Sequence, residues 1–139
     1  MKVFLDTNVL LDTLIATRPG YASSLLLMAA AEDGRIQPVI TAVSVVNADY
    51  ILQRMSIPRV ERRAFTQMLL KLCEIAPTEA IQLHNAFDLD WPDLEDAVQY
   101  SAALAAGPRP CLITNDKKGF KGSRIPVFTP DEFVSEHLW

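Results

Sequence analysis

Asp6 stands where the apolar run Val3-Phe4-Leu5 ends and a second apolar run, Val9-Leu10-Leu11, begins. Asp93-Leu94-Glu95-Asp96 follows Trp91-Pro92, and Asp116 closes the stretch Leu112-Ile113-Thr114-Asn115. Each group has a local explanation. Aspartate caps helices well, acids suit a first helical turn, and Asn and Asp populate turns. Acids at three separate junctions between elements also admit a joint explanation. Carboxylates gathered without a cation raise one another's pKa. A hard dication such as Mg²⁺ or Mn²⁺ removes that conflict, taking a few oxygen ligands and keeping several waters. Asp6, Asp96 and Asp116 are therefore the candidate metal ligands and catalytic acids. Helical geometry turns Glu95 and Asp96 about 100° apart. With Ala97, Tyr100 and Leu104 marking the packed face, Asp96 is expected to point inward and Glu95 into water. His84 and His137 are isolated, and Cys73 and Cys111 have no Cys-x-x-Cys spacing, so no zinc set is present.

These acids need elements to hold them. Short apolar runs at 3–5, 38–41, 73–76, 111–114 and 125–128 read as strands. Helices are expected over 8–16, 21–32, 42–55, 59–72, 77–87 and 93–105, with a last one from Thr129-Pro130-Asp131-Glu132, where Pro and acids suit a helix start. In the 59–72 helix Val60, Phe65, Met68, Leu69 and Leu72 form the apolar face. Strands and helices alternate through short links. That pattern predicts an α/β fold, a three-layer α/β/α arrangement around a parallel sheet of four to five strands. Functional groups of such sheets gather at the carboxyl ends of strands. Asp6 and Asp116 should share that edge.

The chain has 139 residues, half of them hydrophobic, which suits one domain over 1–139. No apolar run reaches membrane-spanning length. Met1-Lys2 leads into a strand-like run, unlike a secretory leader. The two cysteines read as buried thiols, so a reducing cytoplasm is the expected location. A net charge of −4 excludes bulk polycation binding of nucleic acid. The charges are nonetheless clustered. Lys117, Lys118, Lys121 and Arg124 follow Asp116 and would give an acidic centre a positive rim for a phosphate backbone. Arg54, Arg59, Arg62 and Arg63 read as a solvated or dimer-rim face.

The blocks FLDTNVLLD, TAVSVVNADYIL, DLEDAVQYSAAL, LITNDKKGF and IPVFTPDEF, in this order, resemble the successive blocks of a PIN domain. The nearest flavour is the bacterial group that includes VapC-like toxins of toxin–antitoxin pairs. The resemblance implies a Mg²⁺- or Mn²⁺-dependent ribonuclease centre with Asp6, Asp96 and Asp116 on the acidic positions. Thr7, Asn8, Thr114 and Asn115 fall on small polar supporting positions, and Asp93 caps the helix beside them. It further implies an RNA substrate, a homodimer and an antitoxin partner, without a membrane.

Two positions depart from the family pattern. Where relatives often carry Glu in the central helix, this chain has Asn47. Asp49 lies about 200° round the helix and cannot replace it. Asn47 can offer an amide oxygen or hold a water, but brings no charge. Gly119 stands where many relatives have an acid before Phe120. These departures keep a second reading open, a catalytically weak scaffold that binds RNA or a protein. A haloacid-dehalogenase-like phosphatase needs a second Asp two residues after the first, and that position is Asn8.

Overall fold

The structure is a computed structural model, which describes residues 1–108 and 110–138. Five strands form one sheet in the order β3-β2-β1-β4-β5: β1 Lys2–Leu5, β2 Gln37–Thr41, β3 Glu74–Ala76, β4 Leu112–Ile113 and β5 Val127–Phe128. Every pairing is parallel, with register Phe4 to Val39 and Phe4 to Leu112. The chain is α/β in three layers, as the alternation of elements predicts. From β1 the chain winds outward through β2 to β3, then returns to lay β4 and β5 on the other side. The winding reverses between β1 and β4, where open parallel sheets form a crevice beyond their carboxyl ends. Asp6 directly follows β1 and Thr114-Asn115-Asp116 directly follow β4.

Alternation along the strands divides the core. Val3, Leu5, Ile40 and Ile113 face one side. There they meet α1 (Thr7–Asp12), α2 (Tyr21–Glu32), α3 (Ala42–Arg54), α4 (Arg59–Leu72) and α7 (Pro130–Phe133) through Leu10, Leu27, Leu52, Leu69 and Phe133. Phe4, Val39 and Leu112 face the other side, against Tyr100, Ala102 and Ala103 of α6 (Leu94–Leu104). α5 (Ala80–Leu89) packs on the outside of α6 through Ala86, Ala97 and Val98. Cys73 and Cys111 are buried free thiols, and burial pushes each up to about 11. No described helix is long and apolar enough to cross a membrane.

Several local expectations change. α1 ends at Asp12 rather than at residue 16, because the Thr13 hydroxyl donates to the Leu10 carbonyl at 2.7 Å and the following chain folds back over Asp12. α5 starts at Ala80, where Glu79 and Gln82 cap reciprocally, instead of at 77. Leu104 is exposed, whereas Val98, Gln99, Ser101 and Ala102 join Ala97 and Tyr100 in burial. With the sheet on one side and α5 on the other, α6 is covered around most of its girth. Val60 is exposed too, so the apolar face of α4 centres on Phe65 and Leu69. Arg62 is largely buried and pairs with Asp49 at 2.9 Å, not with solvent.

Candidate active site

Asp6 is buried at the N-cap of α1, with three donors on its carboxylate. Oδ1 accepts from the Thr7 backbone N–H at 2.7 Å and from Gln99 Nε2 at 2.9 Å, and Oδ2 accepts from Thr114 Oγ1 at 2.7 Å. Capping and assembly of the site are thus both served by one residue. Burial raises the Asp6 pKa despite these hydrogen bonds, with the Glu95 charge adding to the rise. Thr114 Oγ1 accepts from the Asp116 backbone N–H at 3.0 Å and from Asn8 Nδ2 at 3.4 Å, so its single proton is committed to Asp6. Asn8 Oδ1 accepts from the Asn115 N–H at 3.2 Å. These bonds tie the end of β4 to the start of α1.

Asp96 lies in the first turn of α6, where Asp93 Oδ1 accepts its backbone N–H at 3.1 Å. Its carboxylate is half-buried, and its pKa is pushed up to about 7 by burial first and then by the charges of Asp6, Asp93, Glu95 and Asp116. No hydrogen bond from the described residues offsets that rise. Gly119 belongs to a 3₁₀ turn, Lys117–Phe120, that follows Asp116. A Cβ built on Gly119 would stand 2.5 Å from Asp96 Oδ2 and 3.5 Å from Asp116 Oδ2. The two carboxylates therefore border one small space that a side chain would fill. Trp91 sets the separation of the two segments. Its ring stacks on Tyr100 of α6 at 4.8 Å and meets Phe120 edge-on at 6.0 Å. The Tyr100 hydroxyl accepts the Arg124 N–H at 2.9 Å.

Glu95 is the main correction. It is half-buried and turned into the site, not into water. Oε1 accepts from Thr7 Oγ1 at 3.2 Å, Asn47 Nδ2 at 3.0 Å and Gln99 Nε2 at 3.2 Å. The 100° between neighbouring helical side chains excludes a shared direction, but a long side chain can bend to a site that a shorter neighbour faces directly. Gln99 is the other residue that sequence reasoning missed. It is fully buried, and Ser44 Oγ donates to its carbonyl at 3.3 Å, which leaves the amide nitrogen facing Asp6 and Glu95. The available signal was its spacing, one helical turn beyond Glu95. Asp12 also escaped notice. It is buried, paired with Arg18 at 2.5 Å and hydrogen-bonded by Asn115 Nδ2.

Of the basic cluster, Lys117, Lys118, Lys121 and Arg124 are all exposed. Lys117 is engaged with Glu132 at 3.0 Å.

The PIN domain family model matches residues 2–118. The chain belongs to the PIN-domain family. A PIN domain is in general a nuclease and typically uses divalent metal. Among solved structures the chain is similar to one in VapBC2 from Rickettsia felis bound to a DNA fragment from their promoter, with TM-score 0.67 and 19% identity, covering 92% of this chain and 97% of that one. At that identity the likeness is one of fold. No curated protein matches the chain.

The donor set of this PIN domain fits a hard cation: carboxylate oxygens around the space under Gly119, with one acid held up in pKa by burial and then by its acidic neighbours. Among the described residues no three His, Cys, Asp or Glu side chains lie close enough to hold a bare ion directly.

Proposed function

We propose that the protein is a divalent-metal-dependent endoribonuclease, with Mg²⁺ or Mn²⁺ held by Asp6, Asp96 and Asp116. The observation that carries this reading is the Asp96 carboxylate, half-buried among four other acids with no donor to it among the described residues. Such a group is unfavourable in an empty site and favourable beside a cation. A divalent ion, when bound, supplies positive charge that acidifies water and offsets charge developing on phosphoryl oxygens. The protein's own part is placement. Asp6 is immobilised by three donors, and Thr114 links it to the backbone that presents Asp116. Asp96 can hold a proton near neutrality while no cation is present. Lys118, Lys121 and Arg124 form the rim for the RNA backbone, with Lys117 shared with Glu132.

The similarity to VapBC2 from Rickettsia felis supports a toxin role in a toxin–antitoxin pair, with an antitoxin partner, a homodimer and a cytoplasmic location as parts of the same proposal. Asn47 in place of an acid favours a second reading, a PIN scaffold that binds without cutting. Cleavage of RNA with Mn²⁺, and its arrest by EDTA, decides for the nuclease. Asp96→Asn and Asp116→Asn should each reduce cleavage by at least about 100-fold, as expected when an essential part of the catalytic electrostatics is lost. Melting in EDTA should stay level or rise for Asp96→Asn. Cleavage that persists in both variants would refute the assignment of these acids.

A further inference from the structure

Asn47 and Glu95 face each other across the gap between α3 and α6. Both Glu95 oxygens accept from Asn47 Nδ2, each at 3.0 Å. The amide orientation follows from this pairing, since a reversed amide would set its carbonyl against the carboxylate. The nitrogen of Asn47 is thus spent on Glu95, and Asn47 acts as a clamp. The other contacts are unequal. Oε1 also accepts from Thr7 Oγ1 and Gln99 Nε2, whereas Oε2 takes only the Asn47 amide. Oε2 keeps lone-pair capacity for a further partner.

Glu95 is coupled to Asp6 by shared donors. Gln99 Nε2 lies 2.9 Å from Asp6 Oδ1 and 3.2 Å from Glu95 Oε1, so one amide group spans both carboxylates. Thr7, the residue after Asp6, donates its hydroxyl to Glu95. Gln99 is itself oriented by a hydroxyl relay, Thr41 to Ser44 at 3.1 Å and Ser44 to the Gln99 carbonyl at 3.3 Å. Many buried polar groups thus serve an acid that no cation among the described residues pairs. A solvated first-turn glutamate needs none of them.

We infer that Glu95 is a fourth carboxylate of the acid centre, delivered from α6, with Asn47 as its positioning residue on α3. The charge that α3 does not supply is supplied from the helix opposite, and the amide that remains on α3 fixes where that charge stands. This rests on the reading of Asp6, Asp96 and Asp116 as a cation site. It also reverses an expectation that follows from Asn47 alone. A glutamate at 47 in the otherwise unchanged protein would set two carboxylates against each other, so it should not tighten the site.

The test is calorimetric titration of the full chain with Mn²⁺ alone, beside thermal melting in EDTA. Glu95→Gln should weaken Mn²⁺ binding at least tenfold, and Asn47→Ala, which frees Glu95 to swing into water, by roughly tenfold, as is common for residues that orient a ligand. Asn47→Glu should gain no affinity and melt lower in EDTA. The exchange Asn47→Glu with Glu95→Gln restores one acid and one amide, and should recover most of the parental affinity. Asp96→Asn and Asp116→Asn are the reference variants. If they lose Mn²⁺ affinity while Glu95→Gln and Asn47→Ala keep it, Glu95 is not part of the centre. If they too bind as the parent does, the cation site itself is refuted. Should Glu95→Gln melt too low to titrate, Asn47→Ala and the exchanged pair decide, and parental affinity in Asn47→Ala overturns the inference.

Discussion

Asp12 and Asp96 are both inward-turned acids at the ends of helices, and they are treated in opposite ways. Asp12 is sealed at the end of α1 with a cation, Arg18, and an amide, Asn115, on its two oxygens. Gly20 lets the chain close over it, since a Cβ there would collide with the Asp12 carboxylate. Asp96 is only half-buried, yet it has acids for neighbours and its pKa stands at about 7. Burial alone does not mark a functional acid. The mark is burial without compensation inside the chain. The two are also connected, because Asn115, which holds Asp12, precedes Asp116 and is pinned by Asn8. The compensated acid anchors the loop that presents Asp116.

The largest effect should come from breaking the compensated side. Asp12→Ala leaves Arg18 and the Asn115 amide without their partner, and should cost about 3 kcal/mol, the low end for a broken buried pair because the Arg18 side chain is 34% exposed. Urea unfolding in EDTA measures it. A loss below about 0.5 kcal/mol, the level of an ordinary surface change, would erase the contrast with Asp96.

Next in size is the pH dependence of the uncompensated side. The Asp96 pKa is raised from 3.8 to about 7 in the folded protein, so the folded state binds the proton more tightly than the unfolded chain. The stability this brings is fully present below about pH 4 and is lost as pH rises through about 7. After allowance for solvent screening at a half-exposed site, the loss should be about 2 kcal/mol. Melting temperature in EDTA should therefore fall across this window, and Asp96→Asn should flatten the fall. Saturating Mn²⁺ should flatten it as well. An equal slope in parent and variant would mean that Asp96 is compensated after all.

The smallest effects belong to the rim. Lys117→Ala should change stability by at most about 0.5 kcal/mol, because its exposed pair with Glu132 is screened. Lys118→Ala and Lys121→Ala should each reduce the slope of log RNA affinity against log salt by about 0.7, the value for one single-strand phosphate contact. A filter-binding salt series checks this. A larger slope change at Lys117 than at Lys118 would show that the pair with Glu132 opens when RNA binds.

Much of this protein was determined by sequence alone. The α/β alternation, the five strand positions, α2 at Tyr21–Glu32 and α4 at Arg59–Leu72 were all legible, because period and helix-end residues are local properties. So was the sharing of one sheet edge by Asp6 and Asp116, since parallel strands joined by helices put all their carboxyl ends on the same side. The tertiary structure decided what compensates each acid. Asp12 reads in sequence like any other acid in FLDTNVLLD, and only the fold brings Arg18 and Asn115 against it. Glu95 reads as a wet first-turn residue, and only the packing of α6 against α1 and α3 puts Thr7 and Asn47 against it. Position along a helix is set by neighbours in the chain. The free energy of a charge is set by the groups that replace its water, and in this protein several of those groups lie far off in the chain, 48 residues away for Asn47 and Glu95 and 108 for Thr114 and Asp6.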